Sequence, residues 1–110
     1  MIDYNRDHNP NIVPYNMESL INAFPGITGS GIPCPPEAKQ SVHEFVRWAK
    51  RALLSDAQLE CAKFIVGVWT DSDVPTELGA FDMFSALRKW DADNKAVFFI
   101  WARNPWAIKS

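Results

Sequence analysis

The chain has 110 residues, a length typical of one domain, and its 47% hydrophobic and 22% charged residues are ordinary for a globular protein. The hydrophobic content and the low formal net charge of −2 argue against wholesale disorder, and this charge also argues against a strongly basic nucleic-acid-binding domain. Only two cysteines are present, which argues against a disulfide scaffold. The unusual number is five tryptophans, because indole is enriched at the energetically important positions of protein interfaces.

The predicted localisation depends on the absence of a recognisable secretory leader or membrane helix in the sequence. Residues 1–8 lack the charged segment followed by an apolar one that a secretory leader requires. No apolar run approaches the roughly 18–20 residues of a membrane helix. Because Cys34 and Cys61 are expected to be free thiols in a reducing compartment, we predict a cytoplasmic protein without membrane contact.

Prolines dominate the first third of the chain and predict a proline-rich N-terminal arm over residues 1–36. Each proline fixes φ and removes a hydrogen-bond donor, so long regular elements are not expected there. One short helix is predicted over 17–24, capped by Asn16 and ended at Pro25, before a flexible glycine-rich loop at 26–31. The arm is expected either to wrap the rest of the domain or to wait for a partner.

Residues 37–110 are predicted to form a helical bundle domain, which begins with a helix over 37–54. Apolar side chains recur at helical spacing along one face of this helix, and basic residues occupy its C-terminal end, where they complement the helix dipole. The predicted apolar face consists of Val42, Phe45, Val46, Ala49 and Leu53.

The next helix is predicted to be the central one. Ser55 and Gln58 match a capping box, which starts a helix at about Asp56 that runs to about Thr70. This helix is apolar nearly all round, as expected for the middle of a bundle. Its narrow polar strip consists of Asp56, Glu60, Lys63 and Gly67.

Two further helices are predicted near the C-terminus, capped by Asp82 and Asp91. The second of them ends before Asn104 and Pro105, although its run 96–101 is also compatible with a buried strand that has no evident partner. The predicted fold class is therefore all-α, a compact bundle of about four helices plus a short N-terminal helix in the arm. The side chains expected to point inward from the third helix are Met83, Phe84, Leu87 and Trp90.

No catalytic, cofactor-binding or metal-binding pattern stands out, and we expect no enzyme and no cofactor. The two histidines and two cysteines lack metal-ligand spacing. Asp71, Asp73 and Glu77 could collect a weakly held cation, but a solvated loop is the favoured interpretation. A thiolate–imidazolium couple of Cys34 and His43 is conceivable but disfavoured, because Cys34 precedes two prolines in a loop and His43 lies on the polar side of the first predicted helix. Such a couple needs perturbed groups in a cleft, and the sequence shows none.

The candidate interaction residues are Arg47, Trp48, Arg51 and Trp106. Trp48 lies well off the apolar stripe, so it either packs under the arm or stands exposed as an anchor beside the two arginines. Tryptophan and arginine are the residues most enriched at interface hot spots. The remaining tryptophans fit helical core positions, namely Trp69, Trp90 and Trp101.

Three segments resemble those of a known family. They are an apolar helix end that finishes in tryptophan at 62–69, a Gly-Ala-Phe-Asp sequence at 79–82 in which Ala80 is inserted, and a Leu-Arg-Lys-Trp-Asp sequence at 87–91 in which Trp90 replaces the usual leucine. On these segments, residues 42–102 resemble a small uncharacterised family encoded by bacterial plasmids, integrative elements and phages. The resemblance implies a compact helical domain from a mobile element. It implies no activity and transfers no catalytic residue.

These observations favour a non-enzymatic protein-binding domain. Given the resemblance, its partner is expected to be a host or phage complex, which a mobile-element protein would inhibit or modulate, a host defence complex being one example. Two alternatives stay open: a homo-oligomeric structural or accessory protein, possible as a homodimer, and a small-ligand binder or enzyme with a pocket between arm and bundle. A nucleic-acid role is disfavoured by the net charge.

Overall fold

A computed structural model describes residues 16–70 and 77–105 of the chain. These residues form six α-helices and a single 3-10 helix, and they contain no strand, which confirms the predicted all-α class. Residues 96–101 are helical, so the strand alternative is wrong. In chain order the elements are α1 (Met17–Ala23), α2 (Pro25–Thr28), the 3-10 helix η1 (Pro36–Lys39), α3 (Val42–Arg51), α4 (Asp56–Thr70), α5 (Met83–Lys89) and α6 (Ala92–Arg103).

The short helix of the arm starts as predicted and is followed by a second one. Asn16 Oδ1 accepts a hydrogen bond from the Ser19 amide at 2.8 Å, and Ser19 Oγ accepts one from the Asn16 amide at 3.0 Å, which makes a capping box. Pro25 ends α1 but begins α2, because a first-turn residue needs no amide donor. The loop predicted from residue 26 therefore starts only after Thr28.

The helix predicted over 37–54 is divided into two elements and is shorter than expected. Ser41 has an extended backbone, and its hydroxyl accepts a hydrogen bond from the Glu44 amide at 3.5 Å, so it acts as the N-cap of α3. Residues 36–39 form η1 instead, which packs against α3. At the other end, α3 stops at Arg51.

Helix α4 is the central helix, as predicted. The Ser55 amide donates to Gln58 Oε1 at 2.8 Å and the Gln58 amide donates to Ser55 Oγ at 3.2 Å, which confirms the capping box and the start at Asp56. Helices α1, α2, α3 and α5 all contact α4. Neighbours on several sides thus bury its apolar circumference, as expected for a helix that is hydrophobic nearly all round.

Glu60 was expected on the polar strip of α4, and this expectation is wrong, since only 4% of the residue is exposed. Its Oε2 lies 3.4 Å from Lys63 Nζ, and its Oε1 accepts a hydrogen bond from the Asp82 amide at 3.4 Å. A buried carboxylate requires such partners. Glu60 therefore ties α4 to the start of α5.

Helices α5 and α6 have the predicted caps. Asp82 accepts from the Ser85 amide at 3.2 Å and Asp91 from the Asn94 amide at 3.0 Å. Helix α6 ends at Arg103, directly before Asn104 and Pro105, as the sequence predicted.

The inward face of α5 differs from the prediction. Trp90 is buried and Leu87 is partly buried against the core, as expected, but Met83 and Phe84 are exposed. Helix α5 has seven residues, and it buries the row that contains Ala86. Phe84 therefore lies off this row, whereas Met83, three residues before Ala86, lies on the same face but at the exposed end of the helix.

Aromatic rings fill the centre of the domain. Phe64 lies edge-on to Trp101, with ring centroids 4.9 Å apart, and to Phe24 at 5.8 Å. Trp90 is buried, and its Nε1 donates to the Ala57 carbonyl oxygen at 3.0 Å. Trp69 and Trp101 are half-buried against the same core, so the prediction that these three tryptophans are core residues is confirmed.

The described part of the arm contributes to the same hydrophobic core. Leu20, Ile21, Phe24 and Ile27 have no exposed surface, and α1 and α2 both contact α4. Of the two expectations for the arm, its described residues thus follow the first, since they wrap the bundle. The division at residue 36 remains a prediction, and residues 1–15 lie outside the described part of the chain.

Candidate functional site

Trp48, the expected anchor of an interaction surface, is buried. Its exposed fraction is 1%, its ring centroid lies 5.6 Å from that of Phe45, and its Nε1 donates to the Ile32 carbonyl oxygen at 3.1 Å. The arm therefore covers the side of α3 that the helical period left outside the apolar stripe. Trp48 packs under the arm, and the interpretation of Trp48 as an exposed anchor is corrected.

Leu53, predicted as a core residue of α3, is instead 87% exposed. Helix α3 ends at Arg51, Ala52 is its C-cap, and Leu53 follows with φ +53°, in the left-handed region. One left-handed residue takes the chain off the helical period, so the side chain no longer follows the stripe. Leu54, the next residue, packs against the core, so the two adjacent leucines face opposite directions.

Basic side chains occupy the C-terminal half of α3, which precedes Leu53 in the chain. Arg47 is 67% exposed and lies 3.6 Å from Glu44, and Lys50 lies 3.4 Å from Glu77. Ion pairs this exposed are strongly screened and add little stability. Arg51 is exposed as well. The residues Arg47, Lys50, Arg51 and Leu53 are called the α3 corner from here on.

Two of the four predicted interaction residues thus lie in the α3 corner, namely Arg47 and Arg51. The structure separates them from Trp48, which is covered by the arm, while Trp106 lies outside the described residues. Sequence reasoning missed Leu53 as a surface residue. The signal that could have revealed it is the neighbouring Ser55 capping box, because a helix that starts at Asp56 leaves few residues for the preceding helix to end.

Other large apolar side chains are exposed elsewhere on the surface. Phe84 on α5 is 69% exposed, and Ile32, Met83 and Phe99 are exposed to smaller extents. Single exposed apolar residues are normal on a protein surface, whereas a contiguous patch marks an interface. Only Leu53 combines near-complete exposure with a left-handed backbone among the described residues.

The cysteines carry no sign of activation. Burial raises the pKa of the Cys61 thiol to about 12, and its Sγ donates to Asn94 Oδ1 at 3.5 Å. Burial also raises the pKa of the Cys34 thiol, while His43 is exposed on α3. A nucleophilic cysteine needs a lowered pKa, so these environments do not support the Cys34–His43 couple.

The candidate cation loop is only partly covered by the structure. Asp71 and Asp73 lie outside the described residues, and Glu77 pairs with Lys50. Within residues 16–70 and 77–105, no group of three or more histidine, cysteine or acidic side chains is arranged to hold a metal ion. Over the same residues, every helix is too short or too polar to cross a bilayer.

Comparison with models of protein families, with curated proteins and with solved structures finds no match to this chain. The resemblance of residues 42–102 to a family of mobile elements therefore stays a prediction. The described residues form a small all-α domain with an aromatic core.

Proposed function

We propose that this chain is a non-enzymatic protein-binding domain that docks on its partner through the α3 corner. The observation that carries the proposal is Leu53, an apolar side chain that is 87% exposed and held in a left-handed backbone. Unfavourable backbone conformations concentrate at functional sites, where the surrounding structure enforces them. Arg47 and Arg51 supply the guanidinium groups typical of interface hot spots.

The scaffold beneath the corner supports this function because it is firmly held. Trp48 is hydrogen-bonded to Ile32 and packed on Phe45, and Leu54 is packed on the core directly after Leu53. The exposed basic groups of the corner thus lie on a helix whose opposite face is packed, and Leu53 lies between the end of that helix and a residue of the core. Binding through a preorganised surface costs less conformational entropy than binding through a flexible segment.

The proposed setting is the cytoplasm of a bacterial cell, and the proposed partner is a host or phage complex that the domain inhibits or modulates. Two observations support this setting. Both cysteines are free thiols, as in a reducing compartment. The resemblance of residues 42–102 to mobile-element proteins adds the expectation of a host target, by analogy of origin alone.

The test is partner capture with matched surface variants. The full chain is immobilised and exposed to a bacterial host lysate in parallel with Leu53→Gly and with Phe84→Ser, which alters a different exposed side chain. We expect one or more proteins retained by the wild type and by Phe84→Ser but lost with Leu53→Gly. Capture that is identical for all three proteins, or absent for all three, contradicts the proposal.

A homo-oligomeric accessory protein is the second candidate, favoured by the exposure of Phe84 and Phe99 on α5 and α6. Static light scattering at increasing protein concentration distinguishes the two. A dimer that Phe84→Ser or Phe99→Ser converts to a monomer supports this candidate, and a monomer at the highest concentration excludes it. The third alternative, a ligand pocket between arm and bundle, has no observation that favours it.

A further inference from the structure

We propose that the indole of Trp48 is the centre of a binding site for a proline-rich segment of another protein, and that the chain's own residues 31–35 occupy this site in cis. Residues 31–35 are called the strap from here on. The strap acts as an autoinhibitory contact, and the partner binds by replacing it. The site is separate from the α3 corner, because Trp48 is buried whereas the residues of the corner are exposed.

The strap has the composition and the backbone of a polyproline segment. Its sequence is Gly-Ile-Pro-Cys-Pro, Pro36 follows it, and no helix or strand includes it. Pro35 has φ −75° and ψ 161°, which is the polyproline II conformation. A polyproline II segment has no hydrogen bonds between its own backbone groups, so its carbonyl oxygens stay available as acceptors.

Trp48 contacts the strap in the manner in which an aromatic groove binds a proline-rich ligand. Its Nε1 donates to the carbonyl oxygen of Ile32, the residue directly before Pro33, at 3.1 Å. An indole N–H can only donate, which suits a segment whose prolines have no amide donor. Domains that bind proline-rich segments use aromatic side chains in this way, because a preformed polyproline helix loses little entropy on binding.

This contact depends on the backbone of the strap rather than on its side chains. The acceptor is a main-chain carbonyl group, while Ile32 is 44% exposed and its neighbours Gly31 and Pro33 are exposed as well. Any segment with the same proline-restricted backbone presents the same acceptor. A proline-rich segment of a partner can therefore replace the strap without having isoleucine at the contact position.

The strap is lightly attached between two well-packed elements. Ile27 of α2 and Ala38 of η1 have no exposed surface, so both flanks are held in the core. Within 31–34, the hydrogen bond from Trp48 is the only one among the described residues that reaches another helix. Opening the strap breaks this hydrogen bond and uncovers Trp48 and the half-buried Cys34, while the helices stay in place. Local openings of this kind cost less free energy than global unfolding.

Hydrogen exchange of the indole protons in the wild-type chain tests whether the strap opens. Trp90 is the internal control, because it is 3% exposed and its Nε1 donates at 3.0 Å to the Ala57 carbonyl oxygen, which belongs to the central helix α4. In NMR spectra we expect the Trp48 indole proton to exchange at least about tenfold faster than that of Trp90. Equal rates would show that only global unfolding uncovers Trp48, and they would overturn the proposal.

Peptide binding tests the chemistry of the partner. A synthetic peptide of residues 29–36 with Cys34→Ser is titrated into the wild type, Pro33→Gly and Pro105→Gly, which makes the same change at an exposed proline outside the strap. The tethered strap competes at a high effective concentration, so the wild type binds the peptide weakly. Pro33→Gly loosens the strap and is expected to bind about threefold to tenfold more tightly, and Pro105→Gly to bind like the wild type.

The shift of the Trp48 indole signal reports the binding, and circular dichroism checks that each variant is folded. A peptide in which alanine replaces every proline should not bind. Equal binding of that peptide, no gain in affinity for Pro33→Gly, or an unshifted Trp48 signal would each overturn the proposal. If Pro33→Gly binds no peptide but dimerises in light scattering at increasing concentration, the occupant is the strap of a second copy, and a proline-rich partner is wrong.

Discussion

The indole Nε1 of Trp48 donates a hydrogen bond to the carbonyl oxygen of Ile32 at 3.1 Å, which joins the middle of α3 to the loop that precedes η1. Trp48 is 1% exposed and packs on Phe45, so this hydrogen bond lies under the arm, at the edge of the hydrophobic core. This hydrogen bond has two consequences. It holds the described part of the arm against the bundle, and while the arm is in place it withdraws the indole from any interaction with another molecule.

Loss of the Trp48–Ile32 hydrogen bond should destabilise the domain. Trp48→Phe keeps an aromatic ring but leaves the Ile32 carbonyl oxygen without its partner and opens a small cavity. We expect a loss of about 1–3 kcal/mol in the free energy of unfolding. Urea denaturation followed by circular dichroism measures it, and limited proteolysis should show faster cleavage between α2 and η1. An unchanged transition midpoint would show that the indole does not hold the arm.

Leu53→Gly should stabilise the domain while weakening partner binding. The left-handed conformation costs a leucine about 1–2 kcal/mol, and the greater entropy of glycine in the unfolded chain offsets roughly half of this. The expected net gain is about 0.5–1 kcal/mol, measured by thermal or urea denaturation. Leu54→Gly is the matched control, because Leu54 packs on the core and its loss should destabilise. A destabilised Leu53→Gly contradicts the assignment of strain.

The buried ion pair of α4 should matter more than an exposed one of equal length. Lys63 and Glu60 are 3.4 Å apart with side chains 17% and 5% exposed, whereas Lys50 and Glu77 are 3.4 Å apart with side chains 53% and 70% exposed. Lys63→Met leaves a buried carboxylate unpaired, and we expect a loss of about 2–3 kcal/mol, below the value for a completely buried pair. Lys50→Met should cost less than about 1 kcal/mol. Equal losses in urea denaturation would refute the distinction.

Gly26 occupies a close approach between α2, α4 and α6. A Cβ at this position would lie 3.1 Å from Cys61 Sγ and 3.2 Å from Asn94 Oδ1, while the Gly26 amide donates to that same oxygen at 3.0 Å. Gly26→Ala is therefore expected to cost about 1–3 kcal/mol, because buried neighbours must shift. Gly31→Ala, where a Cβ would meet nothing within 4 Å, should be neutral or slightly stabilising. The two midpoints in denaturant provide the comparison, and equal midpoints would contradict it.

Cys61 should make the stability fall at alkaline pH. The thiol ionises near its ordinary pKa of 9.0 in the unfolded chain but, because of burial, only at about 12 in the folded one. Between these values the unfolded state has lost a proton that the folded state keeps, so raising the pH favours unfolding. Below pH 9 the thiol is protonated in both states, so the stability that it provides is fully present there. Denaturation midpoints between pH 8 and 11 should therefore fall more steeply for the wild type than for Cys61→Ala, and parallel curves would exclude this role.

Helix caps were the most reliable part of the prediction because they depend on neighbouring residues. Asn16, Ser55, Asp82 and Asp91 each accept the hydrogen bond of a nearby amide, and the structure places each cap where the pattern predicted it. A capping interaction spans three residues, so no distant part of the chain is needed to form it. The same holds for the central position of α4, whose apolar circumference requires neighbours on every side.

The exposure of Trp48, Glu60 and Leu53 could not be predicted in this way. Trp48 is buried because the arm, distant along the chain, covers it, and Glu60 is buried because the start of α5 returns to α4. Leu53 is exposed because one left-handed residue interrupts the helical period. Periodicity assumes a continuous helix against one flat neighbour, and these positions violate one assumption or the other.

From local pattern alone, the chain is all-α, helices α1, α4, α5 and α6 begin at identifiable caps, and α4 lies at the centre, because hydrogen bonds and apolar periods of a few residues decide these properties. The candidate surface depended on tertiary packing. Long-range contacts bury Trp48, and the left-handed residue after the end of α3 exposes Leu53. Whether a side chain reaches solvent depends on what covers it. Trp48 is covered by the arm, a separate segment of the chain that the periodicity of α3 does not reveal.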